Sequence, residues 1–153
     1  MKFIDSEHKE FVTNKFKELE QNNKLDVYYK SLIYVLGICP MTRKNFNDIF
    51  NIRKGMININ CLGEAWQTGS SVKVTRMAFS LWNGCMFDSE DDCENGIKSS
   101  YYNPNEIFCC SYAAYFWEGI KIRYPEYSQD LNNNIKIKHI ENIDDTEEDF
   151  EEI

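Results

Sequence analysis

The sequence predicts a mainly α-helical protein: a compact bundle of about five helices, one short β ribbon and an acidic C-terminal tail. Three observations carry this. Apolar residues recur at helical spacing in several runs, each bracketed by capping and stop residues. Strand-like alternation is confined to Met56–Asn60 and Lys136–Ile140. The net charge of −8 is not spread over the chain: residues 141–153 hold eight acids and no base, and removing them leaves 17 acids against 17 Lys plus Arg. The domain is expected to be residues 1–140. The tail, 141–153, has too little apolar surface to offset ordering and is expected to be disordered unless a partner holds it.

The elements follow in order. Asp5 or Ser6 can cap a first helix over Glu7–Gln21, with Phe11, Val12, Phe16 and Leu19 on one face and Asn22-Asn23 as its exit. Asp26 can cap a second, in which Tyr28, Leu32, Val35 and Leu36 fall at i, i+4, i+7 and i+8 and Gly37 closes the run; its richer apolar content places it deeper than the first. Thr42 can cap a third helix ending near Phe50. Arg53-Lys54-Gly55 reads as a turn, and Met56–Asn60 as an extended piece or small hairpin that needs helices beneath it.

The central stretch is Trp66–Gly84. Thr68, Gly69, Ser70 and Ser71 offer caps, Val74, Met77, Ala78 and Leu81 fall at i, i+3, i+4 and i+7, and Asn83-Gly84 is a left-handed stop. A helix is expected over Ser71–Trp82, near the middle of the fold. Cys85–Asn103 is polar and irregular and reads as a mobile surface loop. Pro104 suits a first helical position, Ser111 can cap or interrupt, and a last helix is expected over Tyr112–Arg123 with Ala113, Phe116, Ile120 and Trp117 inward. Pro125 forbids its continuation.

The motifs exclude more than they assign. Gly69-Ser70-Ser71 opens a helix, but the phosphate-loop order of two glycines and Lys-Ser/Thr after a strand is missing. Ser70, Ser71, Lys73 and Arg76 remain an alternative anion site at that helix start. An EF-hand counted from Asp88 would place Cys93 at its glycine position and Ser99 at its glutamate position, and both fail. The six cysteines include no C-x-x-C, and the two histidines, His8 and His139, sit near the two ends, so no zinc site and no Cys–His pair is expected. No metal, cofactor or catalytic residue is assigned. The thiols are expected to be reduced, in a cytoplasmic setting. No signal peptide or membrane span is expected either.

The WQTGSSVKVTRMAFSLWNG stretch resembles a family of small uncharacterised proteins from firmicute bacteria, their phages and mobile elements. The family pattern is W-x-T-x-x-S-x-K-x-x-R-x-A-F-N-L-Y-N-G. Trp66, Thr68, Ser71, Lys73, Arg76, Ala78, Phe79, Leu81, Asn83 and Gly84 match it, and Ser80 and Trp82 depart from it. The likeness extends from SEHKEF near the start to IKIRY at Ile120–Tyr124, over residues 1–125. It implies a mobile-element setting and no reaction.

Acid clusters and surplus tyrosines suit contact with another protein. The reading is a non-enzymatic protein that binds and inhibits a host protein with a basic surface. That target is expected to be a nucleic-acid-handling defence component such as a CRISPR nuclease. Its candidate contacts are Asp88, Glu90, Asp91, Asp92, Glu94, Tyr101, Tyr102, Tyr112 and Tyr115. A neutral body with an acidic tail argues against direct nucleic-acid binding, and a monomer or homodimer is expected. The alternative is a small phosphate- or nucleotide-ligand protein or enzyme using the helix start at 70–76.

Overall fold

The computed structural model describes residues 1–128. The expected acidic tail and the Lys136–Ile140 strand lie outside the described residues. Among the described residues the chain is mainly helical, with four long helices, four short ones and one two-stranded antiparallel ribbon. No helix among them is long and apolar enough to cross a membrane.

The first helix, α1 (Ser6–Gln21), starts where the Asp5 side chain accepts the His8 N–H. The second, α2 (Val27–Ile38), starts where Asp26 accepts the Tyr28 and Tyr29 N–H groups. Every residue from Ser31 to Ile38 is buried, so α2, and not the Trp66–Gly84 stretch, is the element the others surround. Gly37 does not close it. The helix continues through Ile38, and Pro40 ends it because proline cannot sit in the middle of a continuing helix. Gly37 has another use: a Cβ there would lie 2.8 Å from His8 Cδ2 and 2.9 Å from Phe11 Cδ1, so glycine lets α1 approach α2 closely.

The single third helix expected from Thr42 to Phe50 is two short turns, α3 (Pro40–Lys44) and α4 (Phe46–Ile49). Thr42 sits inside α3 and does not cap it; its buried hydroxyl donates to the Leu36 and Cys39 carbonyls. The ribbon pairs β1 (Phe50–Asn51) with β2 (Met56–Ile57), in the register Phe50↔Ile57 and Asn51↔Met56. A ribbon this short cannot stand alone. It is held from beneath by Trp82, whose ring centroid lies 4.9 Å from those of both Phe50 and Tyr29.

The helix expected over Ser71–Trp82 is α5 (Gly69–Asn83). Thr68 and Ser71 form a reciprocal capping box, and Gly84 ends the helix at φ 70°. Val74, Met77, Ala78 and Leu81 are buried, as the spacing predicts, and so is Phe79, because α5 packs along α2. The segment expected to be a loop contains α6 (Glu90–Asn95), capped by Ser89 and ended at Gly96, and a 3-10 turn at Ser100–Tyr102. Next come α7 (Pro104–Ile107), with proline in its first turn, and α8 (Ala113–Arg123). On α8, Phe116 and Gly119 face inward, whereas Trp117, expected inward, is 54% exposed. The reason is Gly119: its bare backbone meets Val35 of α2 and sets which face of α8 is buried.

Candidate functional site

Arg76 links the two groups of residues that the sequence singled out separately. It lies mid-way along α5 and points at the returning chain. Gly84 reverses the backbone, which brings Asp88 back over α5. The Arg76 Nε donates to Asp88 Oδ1 at 3.1 Å, and Nη2 stands 3.0 Å from the same oxygen. The Arg76 side chain is 13% exposed, so the pair is sheltered from screening. Its guanidinium carbon also lies over the Tyr101 ring, 4.8 Å from the centroid, and 5.9 Å from that of Tyr102.

That pair fixes the 85–103 segment as a folded platform. The Tyr102 hydroxyl donates to the Phe87 carbonyl at 2.9 Å and lies 3.6 Å from Cys85 Sγ; burial and the Cys85 thiol hold its pKa well above the ordinary tyrosine value. Ser99 N–H donates to the Met86 carbonyl at 2.8 Å, closing the platform on itself. Ser89 caps α6 by accepting the Asp92 N–H. Glu90, Asp91 and Asp92 fill its first turn, where the helix dipole favours negative charge. Glu90, Asp91, Glu94, Met86, Ile97 and Tyr101 are exposed on this platform. Exposed carboxylates and exposed apolar side chains therefore lie on one folded segment.

The other candidates are placed differently. Asp88 is half-buried and committed to Arg76, and Tyr102 is committed to Phe87. Tyr112 is half-buried; burial, with the Cys39 thiol beside it, raises its pKa. Tyr115 is half-buried on α8. The alternative anion site is not brought together. Ser71 is buried in the capping box, with its hydroxyl also donating to Gln67 Oε1 at 2.6 Å. Lys73 Nζ donates to the Cys109 carbonyl at 3.0 Å, Ser70 is half-buried, and Arg76 already has its carboxylate.

Among the described residues no group of three or more His, Cys, Asp or Glu is placed to hold a metal ion. Both ring nitrogens of His8 are taken by backbone groups, so it has none to offer a thiol. The described cysteines are all free thiols, with Cys93 and Cys109 exposed.

Sequence reasoning missed two members of this platform. Met86 and Ile97 carry no motif, and only the structure shows both exposed on a segment that the Ser99–Met86 backbone bond closes.

Fold and site together define a small helical protein that carries a folded acidic and aromatic segment tied to α5. Residues 1–136 match the model of DUF6075, a family of unknown function, and the chain belongs to that family. No curated protein and no solved structure matches the chain.

Proposed function

We propose that this is a non-enzymatic binding protein of phage or mobile-element origin, in which the 85–103 platform occupies a basic surface of a host protein. The target class is a nucleic-acid-handling defence component such as a CRISPR nuclease, whose groove is built to receive phosphates. The observation that carries the reading is the Arg76–Asp88 pair beneath the platform. It pre-arranges Glu90, Asp91, Glu94 and Tyr101 before any partner arrives, which lowers the ordering cost of binding. Carboxylates set at fixed spacing can compete for cations that otherwise hold a nucleic-acid backbone, and they speed encounter at low salt.

The test uses tagged full-length protein and a charge-reversed variant, Glu90→Lys with Asp91→Lys and Glu94→Lys, in pulldowns from bacterial host lysate at low and high salt. The expected result is a nucleic-acid-handling protein retained by the native chain at low salt and lost with the variant. No retained protein, or equal retention by both chains, would overturn the reading.

A further inference from the structure

We propose that His8 is a proton-sensitive latch for residues 1–4, an N-terminal strap that lies over α2 and α8. The strap is fastened at three points. Ile4 N–H donates to His8 Nδ1 at 3.3 Å. Tyr34 hydroxyl donates to the Lys2 carbonyl at 2.6 Å. Glu118 of α8 accepts the Lys2 N–H at 3.2 Å and pairs with the Met1 amino group at 3.8 Å. Phe3 fills the space between, with its ring edge-on to His8 at 5.2 Å and tilted against Tyr34 at 6.1 Å.

The first fastening admits one protonation state. A backbone N–H can only donate, so His8 Nδ1 must carry a lone pair. The proton is therefore on Nε2, which donates to the Tyr34 carbonyl at 2.8 Å. A second proton has one place to go, Nδ1, and there it would face the Ile4 N–H. Turning the ring is blocked, because His8 is fully buried and lies close against Gly37 of α2. Protonation thus removes the acceptor that holds Ile4, and the strap has to move.

The charged groups around the ring come from each packed element. Arg43 of α3 opposes a charge on His8, and its own guanidinium is held by Glu7 at 3.1 Å and by the Gly37 carbonyl at 2.6 Å. Asp5 favours the charge, but its carboxylate accepts the His8 N–H at 2.7 Å as the cap of α1. Tyr34 of α2 meets the ring with its carbonyl, and Glu118 of α8 acts one step away, on the Tyr34 hydroxyl and on Lys2. Burial is the largest influence and lowers the His8 pKa below 6.5. The latch is closed above that value and opens as pH falls through the lowered one. Release would uncover the Tyr34 ring and open the groove of about 480 Å³ that Phe3 shares with Tyr115 and Trp117.

NMR on the labelled full-length chain from pH 7.5 to 5.0 tests this. Contacts between the Phe3 and Tyr34 rings should vanish with the midpoint of the His8 ring titration, while contacts between Trp82 and Phe50 in the core persist. Tyr34→Phe keeps a ring but frees the Lys2 carbonyl, so it should move the midpoint up by about half a unit. His8→Asn, which cannot titrate, should keep the strap fastened throughout. Loss of both ring contacts together, a Phe3–Tyr34 contact that survives His8 protonation, or an unmoved midpoint in Tyr34→Phe would each overturn the proposal. If His8→Asn does not fold, Tyr34→Phe decides.

Discussion

Replacing Gly119 by alanine should destabilise the protein, although alanine is the better helix former. Gly119 sits inside α8 where that helix crosses α2. An added Cβ would lie 2.6 Å from Val35 Cγ2, 3.5 Å from Leu81 Cδ1 and 3.8 Å from Tyr34 Cδ1. Carbon atoms in good contact stand about 3.5–4.0 Å apart, so the Val35 contact is too close by about 1 Å. Val35 is fully buried and β-branched, which leaves it one comfortable rotamer in a helix, and Leu81 and Tyr34 close off either side. The helices must separate or a side chain must strain, at about 1–3 kcal/mol. Helix propensity returns about 1 kcal/mol. The net expectation is a loss of up to about 2 kcal/mol, read from urea unfolding followed by tryptophan fluorescence. The cause is checked by a cycle with Val35→Ala, which alone should cost about 2 kcal/mol for two lost carbons and a small void. Together the new methyl occupies part of that void, and the double variant should be more stable than the sum of the two losses by about 1 kcal/mol or more. A stabilised Gly119→Ala, or strict additivity, would refute the claim that this glycine sets the α2–α8 spacing.

Three further outcomes are expected. Thr68→Ala opens the capping box of α5 and should lower stability by about 1 kcal/mol, measured by the same unfolding assay, with Thr68→Ser close to native. Thiol titration at pH 8 should modify the exposed Cys93 and Cys109 first, whereas Cys61, whose thiol burial pushes up to about 12, holds about one part in ten thousand as thiolate and should react only on unfolding. Stability should be steady above pH 6.5 and fall below it: His8 is neutral in the fold and takes a proton more readily in the unfolded chain, so each pH unit can remove at most about 1.4 kcal/mol. Unfolding midpoints at pH 7.5 and 5.5 check this, and a His8→Asn variant should show a smaller fall.

Much of the fold was legible because its signals are local. The caps Asp5, Asp26 and Thr68, the stop at Gly84 and the period of Val74, Met77, Ala78 and Leu81 act within a few residues, so the sequence states them directly. The misreadings share a physical cause. Gly37 looks like a stop in a one-dimensional pattern, yet it sits within α2, where His8 and Phe11 come too close for a Cβ. The 85–103 segment looks like a loop because its composition is polar, although Ser89, three following acids and Gly96 are a complete set of helix signals. Arg76 and Asp88 each stand out in the sequence, but as members of opposed readings. Their pairing depends on a chain reversal at Gly84 whose direction no spacing rule supplies.

The strap and the platform are attached to the same core by opposite chemistry, and this makes their responses separable. The strap depends on a neutral imidazole at Ile4, where acid acts and salt has no charge pair to screen; its one ion pair, Met1 with Glu118, is long at 3.8 Å and adds little to that hold. The platform depends on an ion pair between a 13% exposed arginine and a 30% exposed aspartate, with two tyrosine rings near the cation. Water is largely excluded there, so screening by salt is weak, and removing only one partner is the damaging change because it strands the other charge. Salt should therefore act on the exposed Glu90, Asp91 and Glu94, which meet solvent, before it acts on the pair that positions them. A loss of partner binding with rising salt then reports on the contact itself and not on unfolding of the platform. Binding that fell with pH while surviving salt would direct attention to the His8 end of the molecule instead.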